Sequence, residues 1–147
     1  MVSKNDTLEV FYDFRISNKI DLEDCVKTNY YYLATRNFDG NFYKLIDFLG
    51  RQSDKQGLGD IFLEKSKLWT QQLIQVLRPK IIVCEGVTAF DLVTEYALDN
   101  KISRSDEDVF TFHDIKHDIH IVGYRRSSPQ AGIKNKQLLI DCLEKLL

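Results

Sequence analysis

Leu77-Arg78-Pro79-Lys80-Ile81-Ile82-Val83-Cys84-Glu85-Gly86-Val87-Thr88-Ala89 changes character twice within thirteen residues. Arg78-Pro79 closes a helix, because the residue before a proline is driven out of the α region. Lys80 to Glu85 then runs nearly unbroken in apolar residues, the pattern of a strand covered by helices on both faces of a parallel sheet. Gly86 supplies the turn, and Ala89, Phe90, Leu92, Val93, Tyr96 and Ala97 carry the spacing of the next helix. This strand–glycine–helix unit, from Lys80 to Leu98, makes a single α/β domain the expected architecture. A small parallel-stranded sheet is flanked by helices, and Lys80–Glu85 is an interior strand.

Upstream, Asp60 is placed to cap an amphipathic helix in which Ile61, Leu68, Trp69, Leu73, Val76 and Leu77 fall on one stripe. Arg51 to Gly59 reads as a loop. Asn41 is placed to cap a short helix over Phe42, Leu45, Ile46 and Leu49, with Gly50 as its stop. Val26 to Leu33 offers a second strand of the same sheet. Asp21-Leu22-Glu23-Asp24 reads as a turn or a single helical turn. Leu8, Val10, Tyr12, Phe14 and Ile16 alternate with Glu9, Asp13 and Arg15, which reads as a half-buried strand.

Downstream, Asn100 to Asp108 is a polar, acidic loop. Val109–Ile115 and Ile119–Tyr124 read as two strands joined at Lys116-His117-Asp118. A last helix begins near Ile133, with Leu138, Leu139, Cys142, Leu143 and Leu146 on its apolar side.

The chain of 147 residues has one domain's worth of core, with 44% hydrophobic and 29% charged residues. A net charge of −2 creates no global field for nucleic acid, so any DNA contact must come from a local patch. Cys25, Cys84 and Cys142 form no CxxC pair, which argues for buried, reduced thiols rather than a zinc ribbon or disulfide framework. No stretch approaches the ~18 apolar residues of a membrane span and no leader pattern opens the chain. A cytoplasmic protein without a membrane partner is expected.

Several residues carry potential chemistry, each with a plainer structural role beside it. Backbone N–H groups at Glu85-Gly86-Val87-Thr88 suit an anion, although Gly86 also serves simply as a turn. His113 and His120 can face each other across a hairpin, with His117 in its turn. They fall short of a ligand set, so no metal or other cofactor is expected. Of Tyr30, Tyr31 and Tyr32, one or two could stack on bases, while strand alternation assigns at least one to the core. Gly123-Tyr124-Arg125-Arg126-Ser127-Ser128-Pro129-Gln130 lies between a strand and a helix. With Lys134 and Lys136 it supplies four positive charges and no acid, a pattern suited to backbone phosphates. The competing role is a basic surface that offsets Asp106-Glu107-Asp108.

Taken in order, these segments resemble the C-terminal three-quarters of a uracil-DNA glycosylase superfamily domain, from about Ile20 to Leu147. Leu22 to Asn29 is similar to that family's second strand, which ends in an asparagine beside the base pocket. Leu77 to Ala89 is similar to its third, and Arg126-Ser127-Ser128-Pro129 stands where the family has His-Pro-Ser-Pro on a loop that enters the minor groove. The first motif, whose Asp or Asn positions the attacking water, has no counterpart before residue 20. Asp13, on an alternating strand, is a poor substitute, and Arg126 replaces the histidine that stabilises the departing uracil anion. The resemblance implies base and ligand contacts from Asn29, Tyr30, Gly86 and Thr88. It also implies a DNA-contact loop of Arg125, Arg126, Ser127, Ser128 and Pro129 with Lys134. A degenerate glycosylase-like protein is expected, binding DNA or a nucleobase and hydrolysing N-glycosidic bonds weakly or not at all. Any activity would be DNA N-glycosylase hydrolysis of uracil. The alternative is a non-catalytic module that binds a protein partner on the same scaffold.

Overall fold

A computed structural model describes residues 6–28, 48, 51, 57–128 and 132–147. The chain divides into two compact units, one formed by Met1–Lys27 with Pro79–Leu147 and the other by Thr28–Arg78. The protein is a mixed helix-and-strand chain with a small three-stranded sheet among its described residues.

In the first unit, helix α1 (Asp6–Tyr12) and helix α2 (Phe14–Ser17) are followed by a 3₁₀ turn at Leu22–Asp24. The alternation of residues 8–16 therefore does not build a strand. A strand with one buried face would hide Tyr12 and Phe14 together with Val10 and Ile16. Instead Tyr12 is 66% and Phe14 76% exposed, and only Val10 and Ile16 of these four are buried. Asp13 causes the break, its carboxylate accepting the N–H of Arg15 at 2.9 Å to cap α2. Of the expected strand at Val26–Leu33, residues 26–28 have no regular structure and are exposed, and the remainder lies outside the described residues.

The sheet is built from β1 (Ile81–Glu85), β2 (Val109–Asp114) and β3 (Ile119–Tyr124) in the order β1-β3-β2. β1 runs parallel to β3, with Ile81 opposite His120 and Glu85 opposite Tyr124. β2 and β3 form the expected hairpin, with Val109 opposite Tyr124 and Asp114 opposite Ile119. The parallel direction of β1 agrees with the sequence, but its interior position does not. Among the described residues it has a neighbour on one side alone, and Ile81, Ile82 and Val83 are half-buried. The strand covered on both faces is β3, where Ile119, Ile121, Val122, Gly123 and Tyr124 are all buried.

On one face, α1 and α2 join helix α5 (Lys136–Leu146) over β2 and β3, gathering Val10, Ile16, Val109, Val122, Tyr124, Leu139, Ile140 and Leu143 into one core. Arg15 fastens this layer, meeting the carboxylates of Glu144 and Asp141 on α5. On the other face, helix α4 (Val87–Asp91) continues as a π-helical segment, Leu92–Ala97. Its Phe90 ring meets Phe110 edge-on, 4.7 Å between centroids. Gly123 makes this contact possible, since a Cβ there would lie 2.2 Å from Phe110 Cε2 and 2.8 Å from Phe90 Cδ2.

In the second unit, helix α3 (Leu58–Leu77) matches the sequence in extent and ends where expected, at Arg78 in the left-handed region. Its N-cap is Gly57 rather than Asp60, which stands in the first turn. Its buried positions are Gly59, Phe62, Ser66 and Ile74. Of the apolar stripe, Ile61, Leu68, Trp69, Val76 and Leu77 are exposed and Leu73 is half-buried. The expected helix capped by Asn41 lies outside the described residues except for Phe48, which is helical.

Candidate functional site

β1 and β3 are parallel neighbours, so their C-terminal ends lie side by side, and in open α/β sheets ligands bind at such ends. Gly86 leaves β1 at φ 103° and ψ 167°, a region essentially reserved for glycine. The chain that leaves β3 returns to the same point, and Arg126 Nη2 donates a 2.8 Å hydrogen bond to the carbonyl oxygen of Glu85. A Cβ on Gly86 would lie 3.2 Å from Arg126 Nε. Gly86 therefore permits both the turn and the close approach of the guanidinium. Lys27 adds an ion pair to the Glu85 carboxylate at 3.3 Å.

The start of the Arg125–Ser128 loop is held by the backbone. Arg125 N–H donates to Asp108 O at 2.8 Å, and Lys134 N–H donates to Arg125 O at 2.9 Å. Arg125, half-buried, also directs its guanidinium to Glu107 O at 3.2 Å and to Asp106 at 3.8 Å. Lys134 pairs with Asp108 at 3.0 Å and Lys136 with Glu9 at 2.8 Å. The four-cation run of the sequence is thus interleaved with carboxylates, as its structural role as an offset to the Asp106–Asp108 loop requires. These pairs are exposed or half-exposed, and such pairs contribute little and exchange readily.

Of the residues singled out from sequence, Gly86 and Arg126 are brought into contact. Arg125 and Lys134 meet across the loop, and Thr88, Ser127 and Ser128 are exposed nearby in the chain. Asn29, Tyr30 and Pro129 lie outside the described residues. Asp13 serves as a helix cap at a turn, not as part of a strand. Compared with models of known protein families, with characterised proteins and with solved structures, the chain matches none.

A second concavity, a cleft of about 380 Å³, is lined by Phe90, Arg104, Phe110, Phe112, Leu138 and Cys142 among others. Arg104, one of the lining residues, binds both carboxylate oxygens of Asp91 at 2.9 and 3.1 Å, and its guanidinium carbon lies 5.6 Å from the centre of the Phe110 ring. Sequence reasoning passed over Arg104, whose one signal is a cation beside the acidic loop.

In the hairpin, His113 and His120 stack in register, 4.2 Å between centroids, as the alternation suggests. Asp118 accepts from or pairs with His113 at 2.9 Å, and the buried Asp114 holds His117 at 2.6 Å. Among the described residues no three His, Cys, Asp or Glu side chains converge as a metal set. All three cysteines are free. Burial pushes the Cys84 thiol up to about 12, which leaves it inert, whereas Cys25 is exposed, contrary to the expectation of three buried thiols.

Proposed function

We propose that this protein is a degenerate member of the uracil-DNA glycosylase type, binding DNA or an extruded nucleobase with weak or no N-glycosidic hydrolysis. The observation that supports this reading is the meeting of Arg126 with the Gly86 turn at the ends of two parallel strands. Residues forty apart in sequence converge where that family's third-strand turn and groove loop would converge. Arg126 supplies a bidentate donor for a phosphate or a developing anion, and the exposed hydroxyls of Ser127 and Ser128 stand beside it in the chain. A guanidinium keeps its proton, so it stabilises charge without acting as a neutral donor. Asp13, committed to capping α2, provides no water-orienting carboxylate on a free loop.

Loss of water orientation and of the neutral donor should each remove several kcal/mol of transition-state stabilisation. A uracil-containing oligonucleotide incubated with purified protein should therefore be bound at low salt and accumulate no abasic sites at a rate typical of intact glycosylases. Rapid abasic-site formation abolished by Asp13→Ala would return the protein to the enzymes. A protein-binding role on the same scaffold is favoured by one observation, the outward apolar stripe of α3.

A further inference from the structure

At the other end of β3 from the Gly86–Arg126 junction, the hairpin carries two imidazoles side by side. His120 N–H donates to Lys80 O at 2.9 Å, so it is turned toward β1 and away from β2. His113 and His120, opposite each other in register, therefore form a non-hydrogen-bonded pair. Such pairs bring side chains closest, with Cα atoms about 4.5 Å apart. The two rings stack at 4.2 Å between centroids and within 11° of parallel. The His113 side chain is 42% exposed and His120 is half-buried, so both rings reach solvent.

Asp118 decides which nitrogen of His113 is bare. Its exposed carboxylate lies 2.9 Å from Nε2. A carboxylate accepts, so Nε2 carries the proton and Nδ1 of the neutral ring keeps its lone pair. Histidines that hold a metal characteristically give their second N–H to a carboxylate in this way. The partner fixes the tautomer and ring orientation and makes the free nitrogen more basic. His120 makes no side-chain hydrogen bond or ion pair among the described residues, so its ring nitrogens remain available.

We propose that His113 and His120 form a two-imidazole site for a late divalent transition ion, with Asp118 positioning the His113 ring. Imidazole suits Ni2+, Cu2+ and Zn2+ better than it suits the harder Mg2+ or Ca2+. Two nitrogens bound to one ion at 2.0–2.1 Å stand roughly 3 Å apart, so the rings open from the stack and turn toward a common point. Their exposure leaves room for that turn. His117 is not part of the set. Its Nδ1 is held at 2.6 Å by the buried Asp114, which follows His113 on the strand and so faces the other side of the sheet. Two protein ligands fall short of the four of a structural zinc site, and no third ligand converges here among the described residues. Water or a chelator takes the remaining positions, which makes the ion exchangeable. Bound, it cross-links β2 to β3 at the start of β3. The site is independent of any DNA contact at the Gly86–Arg126 junction.

Nickel held by immobilised nitrilotriacetate keeps two neighbouring positions open and is the probe that matches two imidazoles. The full chain, without a histidine tag, should be retained on such a resin and released by imidazole. His113→Asn and His120→Asn should each pass through unretained, whereas His117→Asn should be retained, all with unchanged circular dichroism. Calorimetric titration of the full chain with Ni2+ should show one ion per chain. Asp118→Gly removes the carboxylate and suits the left-handed backbone there, at φ 53°. It should weaken Ni2+ binding by roughly 10–100-fold, the usual effect of losing such an outer partner, and loss of either imidazole should cost more. Failure to be retained, retention that survives loss of His113 or His120, loss of retention with His117→Asn, or an affinity indifferent to Asp118→Gly would each overturn the proposal.

Discussion

Replacing Gly123 with alanine tests the packing that sets the sheet against α4. Gly123 is paired with Cys84 of β1 and Phe110 of β2, in the middle of the sheet. The added methyl would lie 2.2 Å from one Phe110 ring carbon and 2.8 Å from a Phe90 ring carbon, against an ordinary carbon–carbon contact of about 3.5–4.0 Å. Both rings are buried and brace each other edge-on, so neither can swing aside freely. Overpacking of this kind costs about 1–3 kcal/mol, and the short contact places Gly123→Ala in the upper part, about 2–3 kcal/mol. In a chain of this size that is a fall of roughly 4–12 °C in Tm. Urea denaturation followed by circular dichroism measures it. Gly57→Ala is the control, because its Cβ would meet nothing within 4 Å and carries only the strain of φ +74°, about 1–2 kcal/mol. Phe110→Leu introduced together with Gly123→Ala should recover part of the loss, a coupling that distant sites do not show. A cost below about 0.5 kcal/mol for Gly123→Ala, or no coupling to Phe110, would refute the reasoning.

Two further outcomes follow from named groups. Hydrogen bonding from Arg15 holds the Glu144 carboxyl below its ordinary value of about 4.5, and bonds from Gln137 and then Arg15 hold Asp141 below about 3.8. Depressed folded values mean stability that is present above the ordinary values and is lost as pH falls through the lower, folded ones. Denaturation midpoints should accordingly be flat above about pH 5 and decline below it, and Arg15→Met should flatten that acid limb. A thiol reagent should modify Cys25 in the native protein but reach Cys84 only on unfolding; early labelling of Cys84 would contradict its burial.

Much of the sheet was legible because its signals are local. The apolar run at Ile81–Glu85, the Gly86 turn and the Val109–Tyr124 hairpin each announce themselves within a few residues, and each formed. The register that stacks His113 on His120 also follows from alternation about a short turn. The segment from Leu8 to Ile16 was misleading because its period of two coincides with two short helices meeting at a capping aspartate. What holds those helices is remote: Arg15 on Glu144 and Asp141, and Lys136 on Glu9. In α3 the sequence showed the apolar stripe but not its burial, because periodicity finds a stripe without saying which way it turns. At the candidate site, the cations and the Asp106–Asp108 acids that offset them were both visible in the sequence, but which cation meets which acid was not: Asp106 reaches Arg125, Asp108 reaches Lys134 and Glu9 reaches Lys136 only through the fold.

The central claim rests on Arg126 at the Gly86 turn, and the salt dependence of DNA binding tests it most directly. Each cation that reaches a phosphate contributes a slope of about −0.9 in log affinity against log salt, so four free contacts would give about −3.6. With Arg125, Lys134 and Lys136 in ion pairs and Arg126 bonded to the Glu85 carbonyl, each contact with a phosphate competes with a partner inside the protein, and the slope should be shallower than that. Binding of a short duplex to the full chain should be measurable at low ionic strength, and Arg126→Ala should reduce the slope by roughly 0.9 while leaving the circular dichroism unchanged. Absence of binding at the lowest salt, or a slope unaltered by Arg126→Ala, would contradict the account.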